Sequence, residues 1–240
     1  DAIHLMTGDG TTWSGQQIAT QVGSVESISL SVLDDDEVFI AYYNGDDNNL
    51  YTVSVADAAV VSSVWAVHFF HDIGDVGRSV FVDEGVAGEI YIVYLDSGNG
   101  AVKFATIDEG TFTIETIPFD GIASLYCSVG VKANDGHPVV AFYDTVERGV
   151  YFAEKVGVDW AVEEVDTTGD TGHFCELETS PSGEIYIAYQ DLSVVNEPVT
   201  RLAHKVGDLW TYEVVDADIS GYDLEFELDS SAYPHVMSNN

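Results

Sequence analysis

Four glutamates, Glu176, Glu178, Glu225 and Glu227, stand at alternating positions of two short apolar segments, HFCELET (173–179) and YDLEFEL (222–228). Residues two apart share one face of a β-strand, so each segment presents a pair of carboxylates on one side and apolar residues on the other. Four carboxylates in a confined volume raise one another's pKa or recruit a cation. Calcium is the cation an all-oxygen set would take, although nothing in the sequence demands a cofactor. A Glu that keeps its proton beside an ionised one would instead suit acid/base chemistry on a glycosidic bond, with the same four residues as the catalytic set. The plainer alternative is that all four are solvated acids.

A second set of chemistry-bearing residues closes a recurring phrase. Asn44, Asp96, Asp144 and Asp191 end FIAYYN, YIVYLD, VVAFYD and YIAYQD, and a fifth copy, HVMSNN, ends at Asn240. Amides and carboxylates beside aromatic rings are the groups that recognise sugars: the polar atoms take hydroxyls and a ring packs on the apolar sugar face. Tyr126, Phe174 and Tyr222, with Tyr43 and Tyr143, could supply the rings. The competing explanation is that strand ends and turns favour Asp and Asn for their own backbone reasons.

Other constellations are weaker. Cys127 and Cys175 occupy equivalent places in successive copies and are expected as two buried, reduced thiols. His173 lies on the same strand face as Cys175, yet the chain offers little of the positive setting that activates a thiol. No phosphate loop, GxSxG or GxGxxG motif is present.

The elements that must hold these groups follow from the repetition. The phrase recurs about every 49 residues, and Trp13, Trp65, Phe112, Trp160 and Trp210 keep step with it. Each unit contains four short Val-, Ile-, Tyr- and Phe-rich segments separated by Gly, Asp and Asn, the pattern of antiparallel strands joined by tight turns. Four strands per unit make the blade of a β-propeller. The expected fold is all-β: a single five-bladed domain over 1–240, with blades near 26–70, 77–117, 124–165, 173–215, and 222–240 plus 1–20. In the last blade the N-terminal strands complete the C-terminal pair and so protect open edges. The first strand of each blade lines the channel, which puts Ser29, Ser79, Ser128, Glu176 and Glu225 in one column.

The units resemble extracellular-type propeller repeats that read W, then SLxV, then IxYxD, then LxYA. TGDGTTW (7–13) is similar to a shortened Asp-box of the sialidase-type repeat, a hairpin-turn device that implies fold rather than activity. In blade count and repeat length the layout is similar to the tachylectin type, which implies a sugar-binding role.

Charge narrows the partners. With 42 acidic against 7 basic residues the formal charge is −35, which repels phosphate backbones and anionic headgroups. Nucleic acid and membrane insertion are not expected, and a glycan or other neutral polar ligand is. At 46 % hydrophobic and 12 % aromatic the chain is too apolar for a disordered acidic tail. The expectation is a non-catalytic, lectin-like carbohydrate-binding propeller, extracellular or at a cell surface. The alternatives are a glycan-processing enzyme using the channel carboxylates, and a structural or adhesive module of a larger surface or virion protein.

Overall fold

The β-branched and aromatic segments all form antiparallel strands, and among the described residues there is no helix. The computed structural model describes residues 2–20, 23–33, 36–55, 66–71, 74–194, 198–216 and 224–238. Trp65, Tyr222 and Asn240 lie outside the described residues.

Strands β1 (Ala2–Gly8) and β2 (Trp13–Thr20) pair as a hairpin. Four meanders follow. The first holds β3 (Val25–Val32), β4 (Val38–Asn44), β5 (Asn49–Val55) and β6 (Ala66–His71); the second holds β7 (Val76–Glu84), β8 (Ile90–Asp96), β9 (Ala101–Asp108) and β10 (Thr111–Thr116). The third contains β11 (Ala123–Val131), β12 (Pro138–Asp144), β13 (Gly149–Val156) and β14 (Asp159–Asp166). The fourth contains β15 (Thr171–Thr179), β16 (Ile185–Asp191), β17 (Val199–Val206) and β18 (Leu209–Asp216), and a hairpin of β19 (Leu224–Leu228) and β20 (Pro234–Ser238) ends the chain. Residues from β3, β7, β11, β15 and β19 together surround one central channel, so the sheets are blades and the fold is an all-β propeller.

The recurring phrase is the second strand of each blade. In β4, β8 and β12 every residue is buried, because both faces are covered by neighbouring blades. Such a strand reads as a continuous apolar run, which is why it is the most legible part of the repeat. Apolar clusters form the seams between blades: Phe39, Ala41 and Leu50 meet Val80 and Val82 in one, and Val139, Phe152 and Val165 meet Cys175 and Leu177 in another.

Each first strand is an edge whose inward N–H groups need acceptors. The preceding blade supplies them through side chains. Val80 N–H donates to Ser27 Oγ (2.9 Å), Val82 N–H to Ser29 Oγ (3.1 Å), Cys127 N–H to Ser79 Oγ (3.0 Å) and Leu177 N–H to Ser128 Oγ (3.1 Å). At the last seam Phe226 N–H donates to Glu176 Oε2 (2.5 Å). The column of serines and glutamates is therefore a latch that joins the blades around the channel.

The hairpins at the two ends of the chain pack on different blades. Leu224 and Phe226 of β19 pack on Ala188 and Leu202 of the fourth blade, and Ile3, Leu5 and Ile18 of the N-terminal hairpin pack on Val38, Ile40 and Tyr42 of the first. Among the described residues these remain two separate two-stranded sheets rather than the four-stranded blade expected. Each hairpin follows the apolar face of its own neighbour. As a result Ile28 and Leu30 of β3 stay 50 % and 46 % exposed, where their counterparts Cys127, Cys175, Val80 and Val129 are buried.

Candidate functional site

The upper mouth of the channel is a cavity of about 540 Å3 bounded by Glu26, Phe81, Tyr126, Phe174, Glu176 and Glu225 among others. Two rings from adjacent blades meet there: the Tyr126 and Phe174 centroids are 4.5 Å apart at 40°. Both side chains are half-buried. Phe174 has a φ of 52° and lies inside the β15 irregularity between His173 and Glu176, while Leu125 has a φ of 76° inside the β11 irregularity between Ala123 and Cys127. A bulky residue in the left-handed region is uncommon and costly, and a bulge re-aims the side chains around it. Here it brings the aromatic pair to the mouth beside Glu176 and Glu225.

A polar brace stands behind the rings. Asp170 accepts from the Tyr143 hydroxyl (2.7 Å) and from Arg148, and its Oδ1 lies 2.9 Å from His173 Nε2. Burial alone would raise the Asp170 carboxyl, but hydrogen bonds from Arg148, Tyr143 and His173 outweigh it and hold it down at about 2. The His173 ring sits 4.6 Å from Tyr143 and 5.5 Å from Tyr126. His173 therefore positions the aromatic cluster through Asp170 and forms no pair with Cys175. The first seam has a similar brace: the Tyr43 hydroxyl donates to Asp75 Oδ1 (2.7 Å), Arg78 Nε to the same oxygen (3.2 Å), and Arg78 Nη1 to Glu26 (2.9 Å). Tyr43 and Tyr143 are thus buried struts rather than rings open to a ligand.

The residues that close the repeated phrase have a turn role. Asn44, Asp96, Asp144 and Asp191 are 8 %, 2 %, 1 % and 7 % exposed. Asn44 Oδ1 accepts from Asp46 N–H (3.0 Å), and Asp96 accepts from Asn99 N–H (3.1 Å) and Asn99 Nδ2 (2.8 Å). Asp144 Oδ1 accepts from Ile122 N–H (2.9 Å) and Val146 N–H (3.0 Å), while Asp191 accepts from Ser193 N–H (2.9 Å) and Arg201 Nε (2.8 Å). Their polar atoms are engaged by the turns they begin, and none of the four borders the mouth cavity. Tyr222, proposed alongside them, lies outside the described residues.

The four glutamates separate by depth. Glu176 and Glu225 border the mouth, whereas Glu178 and Glu227 border only a lower cavity of about 420 Å3, which also has Asp83 of β7 on its wall. Burial first, and then the charges of Glu227 and Asp83, push the Glu178 carboxyl up to about 7. Burial likewise pushes Asp83 up to about 6. Asp83 continues the Ser79–Phe81 face by one more step, so the column could have revealed it. Among the described residues the one group of three that converges as metal ligands would is Asp135, His137 and Glu154, elsewhere in the third blade. Lys132 Nζ already stands 2.9 Å from Asp135 and 2.7 Å from Glu154, so this group carries its own cation. Cys127 and Cys175 are buried and unbonded, and burial pushes the Cys127 thiol up to about 12.

No family model matches the chain, and no curated protein matches it. Solved structures do. A protein of unknown function from Dyadobacter fermentans is 15 % identical over 90 % of this chain and 72 % of its own, with a TM-score of 0.65. AofleA of Arthrobotrys oligospora, solved as a triple arginine-to-alanine mutant, is 13 % identical over 94 % of this chain and 69 % of its own, with a TM-score of 0.61. An α-L-arabinofuranosidase from Podospora anserina in complex with cellotriose is 12 % identical over 82 % of this chain and 69 % of its own, with a TM-score of 0.52. At such identities the likeness is one of fold, and the chain is a β-propeller.

Proposed function

We propose that this propeller is a non-catalytic carbohydrate-binding protein that takes a sugar at the upper mouth of its channel. The carrying observation is the Tyr126–Phe174 pair, 4.5 Å between centroids, beside the carboxylates of Glu176 and Glu225 in one cavity. A ring packs on the apolar face of a pyranose while carboxylate oxygens accept its hydroxyls, and a pocket of this size suits one to three sugar residues. A propeller of like fold in complex with cellotriose supports the choice of ligand class. One oxygen of Glu176 accepts from the Phe226 amide, and among the described residues the four glutamates do not form a group of three converging ligand atoms, so binding is expected to persist in chelator. An acid-rich, lysine-poor surface with a glycan target fits an extracellular or cell-surface setting. A glycan array probed with and without chelator tests the reading: selective binding in both conditions supports it, and no binding in either contradicts it.

A second reading rests on Glu178. A carboxyl pushed up to about 7 beside Glu227 has the poise of a general acid on a glycosidic bond. Turnover of aryl glycosides that disappears in Glu178→Gln and survives in Phe174→Ala would favour it over simple binding.

A further inference from the structure

In the second and fourth blades a cation from the third strand meets the carboxylate that closes the second strand. Lys103 faces Tyr94 across the β8–β9 pair, and Arg201 faces Tyr189 across β16–β17. Lys103 Nζ lies 3.7 Å from Asp96 Oδ2, and Arg201 Nε lies 2.8 Å from Asp191 Oδ2. Both carboxylates are buried and also accept from the turns they begin, so the cation balances the charge of a group that hydrogen bonds already hold in place. In the first blade Tyr51 occupies the same position, facing Tyr42, and the second strand closes on Asn44, which carries no charge.

The third blade keeps the acid without the cation. Asp144 is buried, and Tyr151, facing Phe142, stands where Lys103 and Arg201 stand in their blades. Asp144 Oδ1 accepts from the Ile122 and Val146 N–H groups and its Oδ2 from Glu147 N–H at 3.2 Å, all of them neutral donors. Arg148, next to Glu147 in the chain, pairs with Asp170 instead.

Asp144 borders a cavity of about 620 Å3 together with Phe119, Tyr151, Asp120, Glu147 and Glu164, and no lysine or arginine is among its described lining residues. The Phe119 and Tyr151 rings stand 6.1 Å apart at 52°, and each also packs on Phe142, at 4.9 and 5.8 Å. Both are half-buried, so packing fixes the rings while they still border the cavity. Aromatic faces attract a cation, and carboxylate oxygens accept the N–H groups of its head. Every charged group on the wall is an acceptor, which disfavours an anion. We propose that this cavity of the third blade binds a small organic cation by an ammonium or guanidinium head, which supplies from outside the charge that Lys103 and Arg201 supply from within. None of its lining residues borders the channel mouth, so the site does not depend on the carbohydrate reading.

The test is a titration of the full chain, at fixed ionic strength, with n-butylammonium chloride, n-butylguanidinium chloride, calcium chloride and n-butanol, followed by the methyl resonances of Val146 and Val162, which border the cavity. Saturable shifts with either organic cation, weaker by about tenfold or more with n-butanol and with calcium, are expected, and the tighter of the two identifies the head group. An equal response to n-butanol or to calcium, or none to either organic cation, would overturn the assignment. Tyr151→Arg installs the cation of the fourth blade and should abolish the response. Asp144→Asn copies the first blade and should weaken binding several-fold. Where either variant fails to fold, Glu147→Gln combined with Glu164→Gln changes only exposed side chains and should also lower the affinity several-fold. Unchanged affinity in any of these variants, once folded, contradicts the proposal.

Discussion

The Phe226 amide donates to the Glu176 carboxylate at 2.5 Å, the bond that Leu177 makes to Ser128 one seam earlier. Glu176 thus does structural work that a serine does elsewhere in the ring, even though it borders the cavity proposed to bind ligand. Glu176→Ala should leave the amide without a partner and cost about 1–3 kcal/mol. Glu176→Gln keeps an acceptor and should cost less than half as much. Urea unfolding of the two variants makes the comparison, and equal losses would argue against the latch.

The lower channel sets a pH dependence. Glu178 ordinarily titrates at 4.5 and is pushed up to about 7 in the folded protein, while Asp83 is pushed from 3.8 to about 6. A carboxyl with a raised folded value keeps a proton that the unfolded chain has released, so these groups favour folding in acid. Their contribution declines as pH rises from about 4 to 7. Glu178→Gln should flatten that decline and raise the melting temperature above pH 7, and a variant that melts like the native chain at pH 8 would contradict this.

Net charge predicts a salt response. At −35 the folded chain repels itself, and screening relieves the compact state more than the expanded one. The melting temperature should climb between 20 mM and 1 M sodium chloride, by about 2–4 °C per kcal/mol gained. A flat profile would count against electrostatic strain.

The N-terminal hairpin should be integral to the ring. Ile3 and Leu5 are buried against Val38, Ile40 and Tyr42 of the first blade. Ile3→Ala or Leu5→Ala should each cost about 2–5 kcal/mol. Deleting residues 1–12 should destabilise the whole fold, and a truncation that melts like the full chain would show that the first blade does not need the hairpin.

What could be read from the sequence was set by which physical constraint dominates each position. The FIAYYN-type strand is legible because burial on both faces leaves it no freedom, and the Ser and Glu column because each latch position needs an acceptor. Asn44, Asp96, Asp144 and Asp191 pointed toward sugar because turn formation and sugar recognition call for the same side chains; only the hydrogen bonds to Asp46, Asn99, Ile122 and Ser193 separate the two. The convergence of Tyr126 with Phe174 depends on local irregularities in β11 and β15, and residue types do not encode these openly.

The most direct test of the central claim is a calorimetric titration of an array-selected oligosaccharide into the native chain, Tyr126→Ala and Phe174→Ala. Loss of affinity of about tenfold or more in both variants, about 1.4 kcal/mol, with unchanged melting temperatures, is the predicted result. Undiminished affinity in both folded variants would show that the channel mouth is not where the sugar binds.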